Sequence, residues 1–300
     1  MFDTTPTLDC AGRTLKLDRP RVCGILNLTG DSFSGDGLRD DLQAAVAQGV
    51  AMVEQGADLL DVGAESTRPG ATAVEAATEA ERVVPVIEAL VRRVEVPISI
   101  DTSKPEVMRA AIAAGAGFIN DVYALRREGA LDAVAELKVP VCLMHMQGEP
   151  GTMQDDPHYD DVVGEVHRFL AERVFACEMS GIDKRRVLVD PGFGFGKTLE
   201  HNLALLRGLE RFRDLGVGVF VGVSRKAMIG TLTGRKSGAE RATGSAAAAM
   251  IAVQRGAMIV RVHDVAATRD ALAVWQAVHE GDAPAKAEPK PFGSQRFSDD

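Results

Sequence analysis

Eight times along this chain a short apolar run breaks off at a polar residue and is followed by apolar residues at helical spacing. The runs are Val22 to Leu28, Leu59 to Val62, Ile98 to Ile100, Phe118 with Ile119, Val139 to Met144, Val187 to Val189, Val219 to Val223 and Met258 to Val262. They are too short for buried helices and lack polar alternation, which suits strands covered on both faces, as in parallel sheets. The intervening helical faces include Leu42, Val46, Val50 and Val53, then Val83, Val84, Ile87 and Leu90, and later residues 162 to 179, 239 to 255 and 266 to 278. Eight such units in about 260 residues predict an α/β fold, a (β/α)8 TIM barrel, with an open doubly wound sheet as the alternative.

The predicted domain is residues 1–280. Thr7 to Lys16 reads as a short hairpin around Ala11-Gly12 that plugs one end of the barrel. Residues 281–300, rich in Ala, Pro, Lys, Ser and Asp without apolar periodicity, read as a disordered tail. A net charge of −9 argues against broad nucleic-acid binding, so an anionic small substrate would need a local basic pocket. No apolar run has membrane-spanning length, and Met1 to Thr7 lacks the character of a secretory signal, which points to the cytoplasm and away from membranes. Cys10, Cys23, Cys142 and Cys177 are scattered and read as reduced thiols.

In a barrel the chemistry collects where strands end. The run Val187-Leu188-Val189 stops at Asp190 and opens into Pro191-Gly192-Phe193-Gly194-Phe195-Gly196-Lys197. Pro191 stands where a Walker loop needs its first glycine, and the glycine spacing is not that of a dinucleotide loop. Read the same way, the other strand ends gather Asn27, Thr67, Arg68, Asp101, Asn120, Lys226, Arg261 and His263 at one mouth. Asp101, Asn120 and Asp190 offer acceptors and an amide to a planar heterocycle carrying N–H donors, with Lys226 able to donate to a ring carbonyl or nitrogen. Asn27, Thr67, Arg68, Arg261 and His263 suit a phosphate or pyrophosphate, and Asn27 could give an oxygen to hydrated Mg2+. Phe33, Phe193, Phe195 and Pro69 offer apolar walls for an aromatic second substrate.

The segments Gly24 to Asn27, Glu65 to Gly70, Asp101 to Pro105, Leu143 to Gly148, Asp190 to Lys197, Ser224 to Lys226 and Arg261 to Asp264 resemble the dihydropteroate synthase family over nearly the whole barrel. The resemblance implies a transferase, usually a homodimer, that uses Mg2+ to join 6-hydroxymethyl-7,8-dihydropterin diphosphate to p-aminobenzoate and release pyrophosphate. It implies a pterin site of Asp101, Asn120, Asp190, Lys226 and Arg261, with Met144 and Gly222 as walls. Asn27, Thr67, Arg68, Arg261 and His263 would take the pyrophosphate, and Phe33, Thr67, Pro69, Phe195 and Lys226 the p-aminobenzoate. Asp101, Asp190, Lys226, Arg261 and His263 are the catalytic expectations, and Asn27 the metal-binding one.

Two places depart from the family pattern. Gly30 replaces a proline and Gly35-Asp36-Gly37 reorders the end of the first loop, while Ala227 stands where serine is common. A barrel that binds pterin or phosphate without turnover is therefore a second class of function. A related barrel holding methyl-tetrahydrofolate is a third, which the cationic set of Thr67, Arg68, Arg261 and His263 argues against.

Overall fold

The structure is a computed structural model that describes residues 6–28, 41–63 and 74–280. The predicted tail, Phe33, Thr67, Arg68, Pro69 and the departures at Gly30 and residues 35–37 lie outside the described residues. A hairpin of β1 (Thr7–Cys10) and β2 (Arg13–Lys16) comes first, turning through Ala11 and Gly12, both at positive φ. Two such residues make the tight turn whose twist matches paired strands.

Eight parallel strands then close on themselves: β3 (Arg21–Asn27), β4 (Leu59–Gly63), β5 (Ile98–Asp101), β6 (Phe118–Asp121), β7 (Val141–Met144), β8 (Val187–Asp190), β9 (Gly218–Val221) and β10 (Ile259–Val262). β10 pairs with both β9 and β3, so the sheet has no edge and the open-sheet alternative is excluded. The helices are α1 (Leu42–Glu54), α2 (Ala76–Val91), α3 (Pro105–Ala113), α4 (Ala130–Leu137), α5 (Val162–Met179), α6 (Leu199–Arg207), α7 (Ala227–Thr233), α8 (Ala242–Gln254) and α9 (Val265–Glu280). Local chemistry sets their starts. Asp41 and Asp161 cap α1 and α5 by accepting from Ala44 N and Gly164 N, Pro105 opens α3, and Thr198 forms a capping box with His201 on α6. Among the described residues no helix is long and apolar enough to cross a membrane.

Two differences from the sequence expectation have local causes. The spacing of Leu203, Leu206 and Leu209 predicts one helix through all three, but it stops at Arg207, because Gly208 follows and Leu209–Leu215 tightens into a 3-10 helix. The seven-residue α7 was not anticipated, since Ala-Met-Ile-Gly-Thr-Leu-Thr is too short to display a helical period.

Side chains alternate along each strand, so one set faces the helices and the other the lumen. The outward set, among them Val62, Ile100, Leu143, Val189 and Val260, packs with Val46, Ile87, Leu90 and Leu170 into the main core. The inward set begins apolar. Cys23, Leu59, Phe118, Cys142, Leu188, Phe220 and Ile259 meet Leu8, Cys10, Leu15 and Leu17 of the hairpin segment and seal the N-terminal end, the plug expected from sequence. Each large side chain here contributes about 1.5–3 kcal/mol by burial. Arg13 clips the hairpin to the barrel through Val96 O and Val91 O, both at 2.7 Å. The approach is so close that a Cβ on Gly117 would stand 2.2 Å from the Cys10 carbonyl oxygen. Two residues further along the strands the inward positions turn polar, and there the site begins.

Candidate active site

The lumen-facing residues above the apolar plug are Asp61, Asp101, Asn120, Met144, Asp190, Gly222 and Arg261, brought from seven strands or their ends to one mouth. Arg261 reaches across β3. Its Nε donates to Asp61 Oδ2 at 2.5 Å and its Nη2 to Asp101 Oδ2 at 2.7 Å, while Asn120 Nδ2 donates to the same Asp61 oxygen at 3.1 Å. Asp61 is fully buried, and its Oδ1 has no partner among the described residues. Sequence reasoning missed it. Its signal was there, a carboxylate inside Leu59-Leu60-Asp61-Val62, but that strand was read to its end at Gly63.

The charges are strongly conditioned by burial. Asp101 is pushed up to about 7, chiefly by desolvation; Arg261 opposes the shift and Asp61 adds to it. Asp190 is pushed up to about 6 by burial, against the pull of the Gly192 N–H, Lys226, Lys197 and Arg261. For Arg261, burial works against the charge, yet Asp61 and Asp101 outweigh it and raise the pKa further. Arg261 is therefore a permanent cation, while Asp101 and Asp190 are carboxyls raised toward neutrality.

The glycines after Asp190 place backbone where a side chain could not go. Gly192 N donates to Asp190 Oδ1 at 2.7 Å, φ at Gly192 is +72°, and a Cβ there would lie 1.8 Å from the His145 carbonyl oxygen. Phe195 lies with Met144, Met146, Met153 and Val122 in a small apolar shelf at the mouth. Lys226 Nζ sits 4.0 Å from the Phe195 ring centroid, a cation–π contact. Phe193, read from sequence as a possible wall, is instead fully buried in the main core, because neighbouring loop residues at 193 and 195 point opposite ways.

The motifs Ser224-Arg225-Lys226 and His263-Asp264 are joined across 39 residues. Ser224 Oγ meets His263 Nδ1 at 3.0 Å and accepts from His263 N at 3.1 Å. Arg225, at φ +56°, forks onto Asp264 at 2.7 and 3.0 Å, and its backbone N–H donates to Ser245 Oγ at 2.8 Å. This pairing explains why a strained residue persists there and why Lys226 is held over the mouth. Ala227 opens α7 directly after Lys226. Asn27 ends β3 on the same side, half-buried, beside Gly63 in register. Of the sequence-predicted residues, Asn27, Asp101, Asn120, Met144, Asp190, Phe195, Gly222, Lys226, Arg261 and His263 thus share one end of the barrel.

A barrel mouth lined by buried acceptors, an arginine and an apolar shelf can receive a flat ring that carries N–H donors. Consistent with this, residues 23–263 match the family described as pterin binding enzyme, and the chain belongs to that family. Dihydropteroate synthase of Escherichia coli strain K12 is 51% identical over 266 residues, covering 89% of this chain and 94% of that relative. The structure of Xanthomonas albilineans dihydropteroate synthase with 4-aminobenzoic acid superposes with a TM-score of 0.86 at 64% identity, over 92% of this chain and 98% of that one. The same enzyme in complex with 7,8-dihydropteroate gives 0.83 at 61% identity, over 91% and 98%. Within the pterin-binding enzymes, the chain falls among the dihydropteroate synthases.

Proposed function

We infer that this chain is a transferase of folate biosynthesis that condenses 6-hydroxymethyl-7,8-dihydropterin diphosphate with p-aminobenzoate, giving 7,8-dihydropteroate and pyrophosphate. The observation that carries the reading is the meeting of Asp101, Asn120, Asp190 and Arg261 in one buried mouth beside the Lys226–Phe195 pair. The names and bound molecules of the similar proteins support it.

In this reading Asp101, Asn120 and Asp190 take the N–H edge of the pterin, Lys226 donates to its acceptors, Arg261 serves ring and phosphate together, and Met144 and Gly222 wall the ring. Asn27, Thr67, Arg68, Arg261 and His263 hold the diphosphate, with Ser224 fixing the imidazole. Phe195 and Lys226 would take the p-aminobenzoate, a role the resemblance also gives to Phe33, Thr67 and Pro69, which lie outside the described residues. The aromatic amine is neutral and nucleophilic at pH 7, so the harder step is departure of the diphosphate. We assign an SN1-like course, in which the methylene–oxygen bond breaks first and ionised Asp101 and Asp190 favour positive charge spread into the ring.

Asn27 fits a role toward Mg2+: its side-chain amide makes no hydrogen bond among the described residues, and one neutral oxygen suits a hydrated ion held mainly by phosphates. Bound there, Mg2+ would offset charge on the leaving diphosphate. The four buried thiols accord with a cytoplasmic setting. Exposed Ile251, Val274 and Val278 on the adjacent helices α8 and α9 accord with a homodimer, which sedimentation tests.

The deciding experiment incubates the protein with the pterin diphosphate, p-aminobenzoate and Mg2+ and seeks dihydropteroate by mass. Absence of product refutes the assignment. With p-aminobenzoate omitted, scrambling of label from the bridging oxygen into non-bridging positions supports cleavage before attack, and its absence favours direct displacement.

A further inference from the structure

The glycine-rich segment after Asp190 ends in Lys197, which none of the roles above uses. Its side chain is almost wholly buried. Nζ lies 2.9 Å from the Phe195 carbonyl oxygen, 3.0 Å from His145 Nδ1 and 3.5 Å from the His145 carbonyl oxygen. Among the described residues no carboxylate comes within ion-pair distance. A buried cation without a carboxylate partner is costly, so a lysine kept there calls for a reason beyond packing.

The geometry supplies one. An ammonium has three N–H donors and no acceptor, and here it meets three acceptors. For His145 to be the second of these it must be neutral, with its proton on Nε2. Burial, then the nearby charges of Lys197 and Arg126, push its pKa down to about 2. The ring is also fixed edge-on to Phe169 at 4.9 Å. His145 N donates to Asp190 O at 2.9 Å, so the acceptors belong to a rigid junction of β7 and β8. Lys197 ties that junction to the backbone of Phe195, whose ring carries Lys226.

We propose that Lys197 is a positioning residue for the second substrate: its buried amine anchors the Phe195 backbone to His145 and so places the aromatic wall and Lys226 for the incoming amine. This rests on the assignment of Phe195 and Lys226 to p-aminobenzoate above. It extends that assignment by predicting that Lys197 acts on the second substrate and not on pterin affinity.

The charges facing Lys197 are Asp190 from β8 and Lys226 from the loop after β9; His145 from β7 is neutral. Tyr159 binds Gly196 O at 2.9 Å and stacks edge-on with His201 of α6, closing the far side of the loop. Burial lowers the lysine to about 7, with Asp190 opposing and Lys226 adding to the shift. Loss of the proton removes one of three donors and turns a lone pair toward acceptors. The anchor therefore loosens as pH rises through about 7.

The test compares wild type with Lys197→Met, nearly the same shape without donors. The expected result is a KM for p-aminobenzoate raised roughly tenfold at pH 6, where Lys197 keeps its proton, with kcat within about twofold and the calorimetric pterin Kd, taken at pH 8 where Asp190 is ionised with or without the lysine, also within about twofold, the pattern of lost ground-state binding. The wild-type KM rises with pH through about 7, and the variant's does not. In a Phe195→Ala background the Lys197→Met change adds nothing to KM, because the anchor has nothing left to place. An unchanged KM, or KM and pterin Kd worsening together, overturns the proposal. If Lys197→Met does not fold, Lys197→Arg decides: a donor that stays charged removes the pH dependence of KM, and its persistence overturns the proposal. A wild-type protein that forms no dihydropteroate refutes the assigned reaction instead. Hydrogen exchange at residues 192–197 still reports the anchor in that case, faster in Lys197→Met if Lys197 holds the loop and unchanged if it does not.

Discussion

Replacing Asp61 with alanine should destabilise the barrel more than any other single truncation at the mouth. The carboxylate is fully buried, accepts from Arg261 Nε and Asn120 Nδ2, and sits where no solvent can replace it. Leaving the Asn120 amide unpaired costs about 1–3 kcal/mol. Removing one partner of a buried ion pair costs about 3–5 kcal/mol, of which roughly half applies because Arg261 keeps Asp101. The sum is about 3–5 kcal/mol, a large part of the 5–15 kcal/mol typical of a whole domain. With m near 3 kcal/mol/M in urea, the midpoint falls by about 1 to 1.7 M at unchanged m. Asp61 also raises the pKa of Asp101, so its loss moves that carboxyl below about 7, which carbon NMR can follow. A midpoint shift below about 0.3 M, or an Asp101 titration that does not move, would refute the view that Asp61 organises the mouth.

Pterin affinity should depend on pH in a direction set by Asp101 at about 7 and Asp190 at about 6. Both folded values lie above the unfolded one, so these groups contribute stability at pH below about 4 that is lost as pH rises through 6 to 7. The pterin needs both ionised forms, so calorimetry should show affinity falling on the order of 1,000-fold from pH 8 to pH 5, and a flat profile would count against acceptor roles for both. Gly192→Ala should lower Tm and abolish pterin binding together, because a Cβ at φ +72° meets the His145 carbonyl; a variant with native affinity would show that the loop can shift without loss.

How much of this was legible in the chain follows from the range of each interaction. Strand and helix alternation, the hairpin plug and the strand-end positions of Asp101, Asn120, Asp190 and Lys226 were readable, because a strand's two-residue period and a helix's 3.6-residue period are local. The resemblance then supplied roles that periodicity cannot. What the sequence hid were partnerships made only by closure. Arg261 meets Asp61 and Asp101 across 200 and 160 residues, and only when β10 pairs with β3 does the guanidinium reach them. Ser224 with His263, and Arg225 with Asp264, depend on β9 and β10 being neighbours. Phe193 and Phe195 look alike in the chain, yet one enters the core and the other the mouth, since a glycine turn at positive φ carries no period from which direction could be read. Lys197 reads as an ordinary surface lysine until the fold buries it against His145, because burial belongs to the assembled layers and not to any residue's neighbours in sequence.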